Sequence, residues 1–456
     1  MEATVERTGE FPFPLSTGRS AVHRARPTEL SVCRTGYVPT MSLPASAEVV
    51  VVGAGLAGLS AATRLAAAGC DVHVLEAGAY AGGRLATGRI DGFVVDRGFQ
   101  VLNTGYPRVA DLDLDALRLG WFERGAVIRV DGRPHRVVDP RRRPTTVLGS
   151  LAAPVGSLRE KAAIAAFSLR AGYSPVDRLL ATPEKDAAAA LRSAGVGEAA
   201  LERFFRPFLA GVLLENDLAT SSRYLDLLWR SFVRGKIGLP AAGMHAVGRQ
   251  LADRLDPERL HLGTPVTGIA PGSVRVDGGA VQATAVVVAT DPATADRLLP
   301  GLGAAAPRQV TTHLHVLPAS PWSLPLIVLG QPDGRLVNSA VVSDAQPAYS
   351  PYGRALVASS TLLPTDERDV RAEIAAAHGV APSELAHLTT VTVTGAQPAA
   401  LPPLQLRRPV DLGSGLYVCG DHRDTPSIQG AMASGARAAR AVLRSLRPHD
   451  SPHRGA

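Results

Sequence analysis

Gly53, Gly55 and Gly58, the acidic Glu76 and the triplet Gly82-Gly83-Arg84 are the residues whose spacing bears on chemistry. In a G-x-G-x-x-G turn the first glycine permits a tight bend and the second lets a pyrophosphate approach the backbone. The third lets the following helix close on the strand. Leu56 and Ala57 lie inside this turn and bring their amides to the helix start, where the dipole favours a phosphate. A carboxylate at the end of the next strand accepts hydrogen bonds from a ribose diol and disfavours a 2′-phosphate, which argues against NADP. Ala77 follows Glu76, and the chain then reaches Gly82-Gly83-Arg84. Two glycines expose amides, and a guanidinium pairs phosphate oxygens bidentately. A plain NAD domain needs no second clamp, so the set points to FAD rather than NAD. A G-x-G-x-x-G run alone is weak evidence; this one has its strand, helix and acid in order.

Near the other end, Gly420-Asp421 runs through His422, Arg423 and Asp424 to Ser427, Ile428 and Gln429. A histidine beside a redox cofactor could act as a general base, and Arg423 could stabilise an anion. The competing reading is a solvated polar turn, capped by Asp424 or Thr425. These two are the only catalytic candidates.

The elements that must position these residues follow from hydropathy. Residues 49–52 read as a buried parallel strand, 59–68 as an Ala-rich helix stopped by Gly69, and 71–75 as a second strand. Residues 93–102 form a strand running into Gly98. Helical segments are expected at 160–171, 183–194 and 218–234, within a mostly helical insertion spanning 108–240. Strands are expected around 266–269, 274–276 and 285–289, a second sheet across 311–330 and 338–360, and a last strand at 416–419 before a helix at 427–446. The expected fold is α/β, a discontinuous Rossmann-like FAD-binding domain with an inserted mixed α+β substrate domain. Its divisions are a disordered extension 1–46, FAD-domain segments 47–107, 241–300 and 409–447, insertions 108–240 and 301–408, and a disordered tail 448–456. Met41, just before the first strand, is an alternative start.

Composition limits the rest. At 456 residues and 46% hydrophobic content, two domains are expected. No apolar run is long enough to suggest a transmembrane helix. The net charge of +7 is modest, and no basic run is interleaved with aromatics, so nucleic acid is not an expected partner. Cys33, Cys70 and Cys419 form no metal spacing, and no metal is expected. A reducing cytoplasm fits. Residues 121–143 carry seven Arg against three acids, which suggests peripheral contact with anionic lipid or, equally, a solvated hairpin.

With both ends in view, the chain resembles the flavin amine oxidase and carotenoid desaturase superfamily of FAD proteins over about 48–446. VVVGAGLAGLSAA with LEAGAYAGGR, FVVDRGFQVL, and GLYVCGDHRDTPSIQGAMASGARAA carry the likeness. The resemblance implies that Asp421, after Gly420, meets the ribitol and pyrophosphate region. It also implies that amides around Ser427, Ile428 and Gln429 face the flavin N1–C2 oxygen. Gly98, Phe99 and Gln100 would pass near the isoalloxazine, and Val266 would meet the adenine. Amine oxidases usually carry a Lys that holds a water at flavin N5, but the last lysine here is Lys236, and PSIQGAM stands where a Gly-Tyr pair is expected. The small-residue helix and FFRPFLAGV (204–212) look more like phytoene-dehydrogenase-like proteins.

The expected activity is hydride transfer from a substrate C–H bond, desaturating or isomerising an apolar polyene-like molecule. An amine or protoporphyrinogen-type oxidase is the enzymatic alternative, and a flavin-bound assembly or chaperone-like factor the non-enzymatic one. One nucleotide fingerprint leaves oxygen, a quinone or another protein as electron acceptor.

Overall fold

The computed structural model describes residues 42–138, 149 and 152–447. The expected disordered extension, up to residue 41, and tail 448–456 lie outside them, as do Arg141, Arg142 and Arg143 of the basic stretch.

Val49, Val50 and Val51 are fully buried, because the strand Ser46–Val52 is covered on both faces, as a β-branched run in a parallel sheet must be. It pairs in parallel with Val72–Leu75 on one side and Gly279–Val288 on the other. Leu260–His261 extends the sheet beyond Val72–Leu75. Along Gly279–Val288 the register divides: its end pairs with Leu416–Val418, its beginning with the antiparallel Ser273–Val276, which in turn pairs with Val266–Ala270. Chain segments far apart in sequence thus share one sheet. Val52, Leu75, Val288 and Val418 end level with one another, and Gly53, Glu76, Ala289 and Cys419 leave the sheet at that edge. This is the edge at which open α/β sheets bind ligands.

The helices Leu56–Ala67 and Ile428–Leu446 pack backbone to backbone. A Cβ on Gly435 would lie 2.1 Å from the Ala57 carbonyl oxygen, and Ser60 Oγ donates to Met432 O at 2.9 Å.

The second sheet runs Ala386–Pro398, Pro307–Leu317, Ala355–Thr361, Leu336–Val341, Ile327–Leu329, Gly125–Val130, Arg133–Val138. Within the expected mostly helical block 108–240, the hairpin that was one reading of residues 121–143 is present. The hairpin Gly125–Val138 joins the sheet edge, because Ala126, Val127 and Ile128 are apolar enough to be buried on both faces. Arg124 and Arg129 of the basic stretch turn inward, donating to the carbonyls of Val233 and Ala377 respectively.

Helix bounds shift to where caps exist. Leu158–Tyr173 opens on a Ser157/Glu160 capping box, and Ala187–Ser193 on Asp186. Ser222–Arg234 starts at Ser221 rather than 218, since Leu218 has φ +53°, outside the right-handed helix. Among the described residues, no helix is long and apolar enough to cross a membrane, and no His/Cys/Asp/Glu group could hold a metal.

Candidate active site

A cavity of about 1210 Å³ opens at the strand-end edge and continues under the second sheet into the helical insertion. Its first part is built by two interlocked glycine loops. Gly53 has φ +103°, and a Cβ on Gly58 would lie 1.9 Å from Gly53 O, so the helix closes on the turn only with glycine there. Gly55 differs: a Cβ there would meet nothing within 4 Å, and its open side faces the cavity. Gly82 N donates to Ala54 O at 2.8 Å, and a Cβ on Gly83 would sit 3.0 Å from Gly55 Cα. The second loop therefore buttresses the first.

Glu76 accepts from Ala54 N and Gly78 N, each at 2.7 Å. It holds the fingerprint loop while lining the cavity with Ala77, and each carboxylate oxygen keeps acceptor capacity for a diol. Val266 lines the same end.

Arg84 does something the spacing did not show. Its Nη2 lies 2.7 Å from Asp421 Oδ1, and its Nη1 donates to Ala396 O at 2.8 Å. The guanidinium thus joins the first nucleotide segment, the last one and the second sheet. Asp421 is buried, and the turn carrying it is held by Ser434, whose hydroxyl accepts from Gly420 N at 2.9 Å and donates to Gly420 O at 2.8 Å. Ser427 Oγ caps the last helix, accepting from Gly430 N at 3.0 Å, and Ser427 and Ile428 line the cavity. The Gln429 side chain leaves it to accept from Arg108 N at 2.8 Å. Gly98, with φ +97°, turns the chain so that Phe99 N donates to Thr312 Oγ1 at 3.2 Å. Gln100 lines the cavity, its Nε2 donating to Arg84 O at 3.0 Å and its Oε1 buried without a partner.

The structure does not bring His422 and Arg423 to the cavity. The turn after Asp421 folds the imidazole back over Gly420, and Arg423 donates to Pro409 O. Both His422 nitrogens are buried without partners, and burial lowers its pKa to about 4. The unfolded chain then binds a proton near pH 6.5 that the fold refuses until about pH 4. The stability involved is complete above pH 6.5 and falls as pH drops, by about 3 kcal/mol at most. His313 and His378 are lowered to about 4 in the same direction, also by burial. The melting temperature should therefore be level above pH 7 and fall between pH 6.5 and 4, with His422→Leu shallower. An unchanged acid slope in that variant would show that His422 is not buried neutral.

The far part of the cavity is aromatic. The rings of Phe204 and Phe208 stack at 5.8 Å, and Phe208 meets Phe232 at 5.2 Å and Trp229 at 6.0 Å. Trp229 Nε1 donates to Ser168 Oγ at 3.0 Å, so the indole is fully satisfied. Tyr224 OH donates to Pro426 O at 2.8 Å, tying this chamber to the loop before the last helix. The stretch 204–212 was already singled out by its resemblance. Trp229 and Phe232 were missed, because an i, i+3 apolar pair on a helix reads as core packing.

A model of flavin-containing amine oxidoreductases matches residues 56–443. The chain belongs to this family. It is 46% identical over 97 residues to polyamine oxidase 1 of Oryza sativa subsp. japonica, a match spanning 20% of this chain and 19% of that protein. In fold it is similar to an oxidoreductase from Methanosarcina mazei, with TM-score 0.70 and 17% identity over 86% of this chain and 99% of the other. It is also similar to a protoporphyrinogen oxidase-like protein from Exiguobacterium, with TM-score 0.68 and 19% identity over 89% and 100%. As a member of the flavin amine oxidoreductase family the chain is an FAD-dependent oxidoreductase with a Rossmann-like domain. Its residues fit that cofactor. The open Gly55 side at a helix start and Glu76 with spare acceptor capacity border one continuous cavity.

Proposed function

We propose that this oxidoreductase removes hydrogen from an apolar, polyene-like or ring-bearing small molecule, in a desaturation or isomerisation. The observation that carries the reading is the chamber of Phe204, Phe208, Trp229 and Phe232, continuous with the dinucleotide cavity. FAD, when bound, supplies the hydride acceptor, so the chain needs few acids or bases of its own. The aromatic walls bind the apolar body and exclude water. The four carboxylates lining the cavity already have partners: Glu76 and Asp291 accept from backbone amides, Asp421 pairs with Arg84, and Glu123 is engaged. The one lysine among the lining residues, Lys161, donates to Ala153 O at 2.8 Å.

Oxidation of a hydrophobic amine or a porphyrinogen is the second reading, favoured by the family and by the ability of Trp and Phe faces to hold a cation. Adding polyene, amine and porphyrinogen panels anaerobically to the purified holoprotein separates the two. Bleaching of the visible flavin band by the neutral apolar panel is expected; bleaching by amines alone would transfer the assignment to the second reading.

A further inference from the structure

Tyr106 lines the cavity, and among the described residues its hydroxyl has no hydrogen-bond partner. The oxygen is not shut away either. The fully buried polar atoms without partners lie on other residues, so the Tyr106 hydroxyl keeps open surface. Burial nonetheless pushes the phenol up to about 12, which marks a place deep within the fold. A group that is both enclosed and accessible faces an internal cavity, and this is the cavity Tyr106 lines.

Two contacts of the turn carrying Tyr106 fix its place. Asn103 Oδ1 accepts from Gly105 N at 2.8 Å and folds the turn. A Cβ on Gly105 would lie 2.3 Å from Ser231 O, so the turn presses on the helix Ser222–Arg234, which carries Trp229 and Phe232. Arg108 N, two residues on, meets Gln429 Oε1 at the start of the helix Ile428–Leu446. Tyr106 thus stands where the aromatic chamber joins the dinucleotide part of the cavity. With Glu76 on a ribose diol and Gly55 on the pyrophosphate, the other half of the dinucleotide would run past Asp421 to Ser427 and Ile428 and end here. The other polar side chains at this point are spent. Tyr224 OH donates to Pro426 O, Ser427 Oγ accepts from Gly430 N, Gln429 is turned to Arg108, and Asp421 pairs with Arg84.

We infer that Tyr106 is a cofactor-contacting residue whose hydroxyl donates a hydrogen bond to the polar edge of the flavin ring and favours the reduced cofactor, in which that edge carries negative charge. A hydrogen bond to a charged acceptor is worth more than one to a neutral acceptor, so the contact stabilises the reduced form in excess of the oxidised one. It does so whichever substrate class fills the aromatic chamber.

Tyr106→Phe tests this, because it removes the hydroxyl and keeps the ring. The variant holoprotein, reduced anaerobically against a reference dye of known potential, should show its reduction equilibrium displaced about ten-fold toward oxidised flavin. For a two-electron couple that is a potential about 30 mV below the wild type. The urea midpoint of the apoprotein should not change, since no protein partner is lost. A variant that binds added FAD about ten-fold more weakly at an unchanged apoprotein midpoint supports the same contact. Stoichiometric flavin at an unchanged potential overturns it. Flavin loss accompanied by a loss of apoprotein stability overturns it as well, because the hydroxyl would then serve the fold and not the cofactor.

Discussion

Gly55→Ala should give a protein that folds and melts as the wild-type apoprotein does and binds FAD about ten- to a hundred-fold more weakly, whereas Gly58→Ala should lose stability with or without flavin. Both positions read alike in a G-x-G-x-x-G run, and their surroundings separate them. Gly55 has φ −73° and ψ 175°, open to any residue, and its Cβ would meet no protein atom within 4 Å. The added methyl points into the cavity, where it holds a pyrophosphate off the helix amides; overpacking of this kind costs about 1–3 kcal/mol of binding. At Gly58 the Cβ would lie 1.9 Å from Gly53 O, and that carbonyl cannot move freely. Gly53 N donates to Leu75 O at 2.7 Å, and its φ of +103° is already that of a glycine-only turn. Alanine in a helix interior normally gains about 1 kcal/mol over glycine. A net loss of about 2–4 kcal/mol is expected here because the backbone overlap outweighs that gain. Urea unfolding of both apoproteins and flavin-to-protein absorbance ratios give the two readouts. Stoichiometric flavin in Gly55→Ala would show that the turn is not where the cofactor approaches.

The fingerprint was legible because everything it needs lies within one βαβ unit: the strand, the three glycines and Glu76 are local. The same local view assigned Arg84 a phosphate. Its guanidinium also meets Asp421, and no spacing rule links residues brought together only when Leu416–Val418 docks beside Gly279–Val288. His422 failed for a related reason. A strand-to-helix turn sends successive side chains in different directions, so adjacency to Asp421 in sequence placed the imidazole behind Gly420 rather than at the cavity. The hairpin Gly125–Val138 was legible as one reading of residues 121–143, but its docking on the second sheet was not, because the partner strand Ile327–Leu329 lies about 200 residues away in sequence.

The Arg84–Asp421 pair should respond asymmetrically to loss of either partner. Asp421 is 3% exposed, whereas the Arg84 side chain is 36% exposed where it borders the cavity. Arg84→Met leaves a buried carboxylate without its cation and also releases Ala396 O. Breaking a buried pair from the cationic side costs about 3–5 kcal/mol; with Arg84 partly solvated, about 2–4 kcal/mol is expected. Asp421→Asn leaves a guanidinium that still donates to Ala396 O and reaches solvent through the cavity, so about 1 kcal/mol or less is expected for the apoprotein. Flavin retention should rank otherwise. Asp421→Asn removes the charged acceptor at the point where the first and last nucleotide segments meet, and a hydrogen bond to a charged group is worth about 1.5–3 kcal/mol. Affinity should fall by about ten-fold or more despite the near-normal fold. The double variant decides the physical cause. With Asn at 421 no charge is stranded, so Arg84→Met/Asp421→Asn should be more stable than Arg84→Met alone, a coupling readable from a urea double-mutant cycle. A double variant no more stable than Arg84→Met would mean that the lost stability comes from the contact to Ala396, and that Asp421 does not depend on Arg84 for its burial.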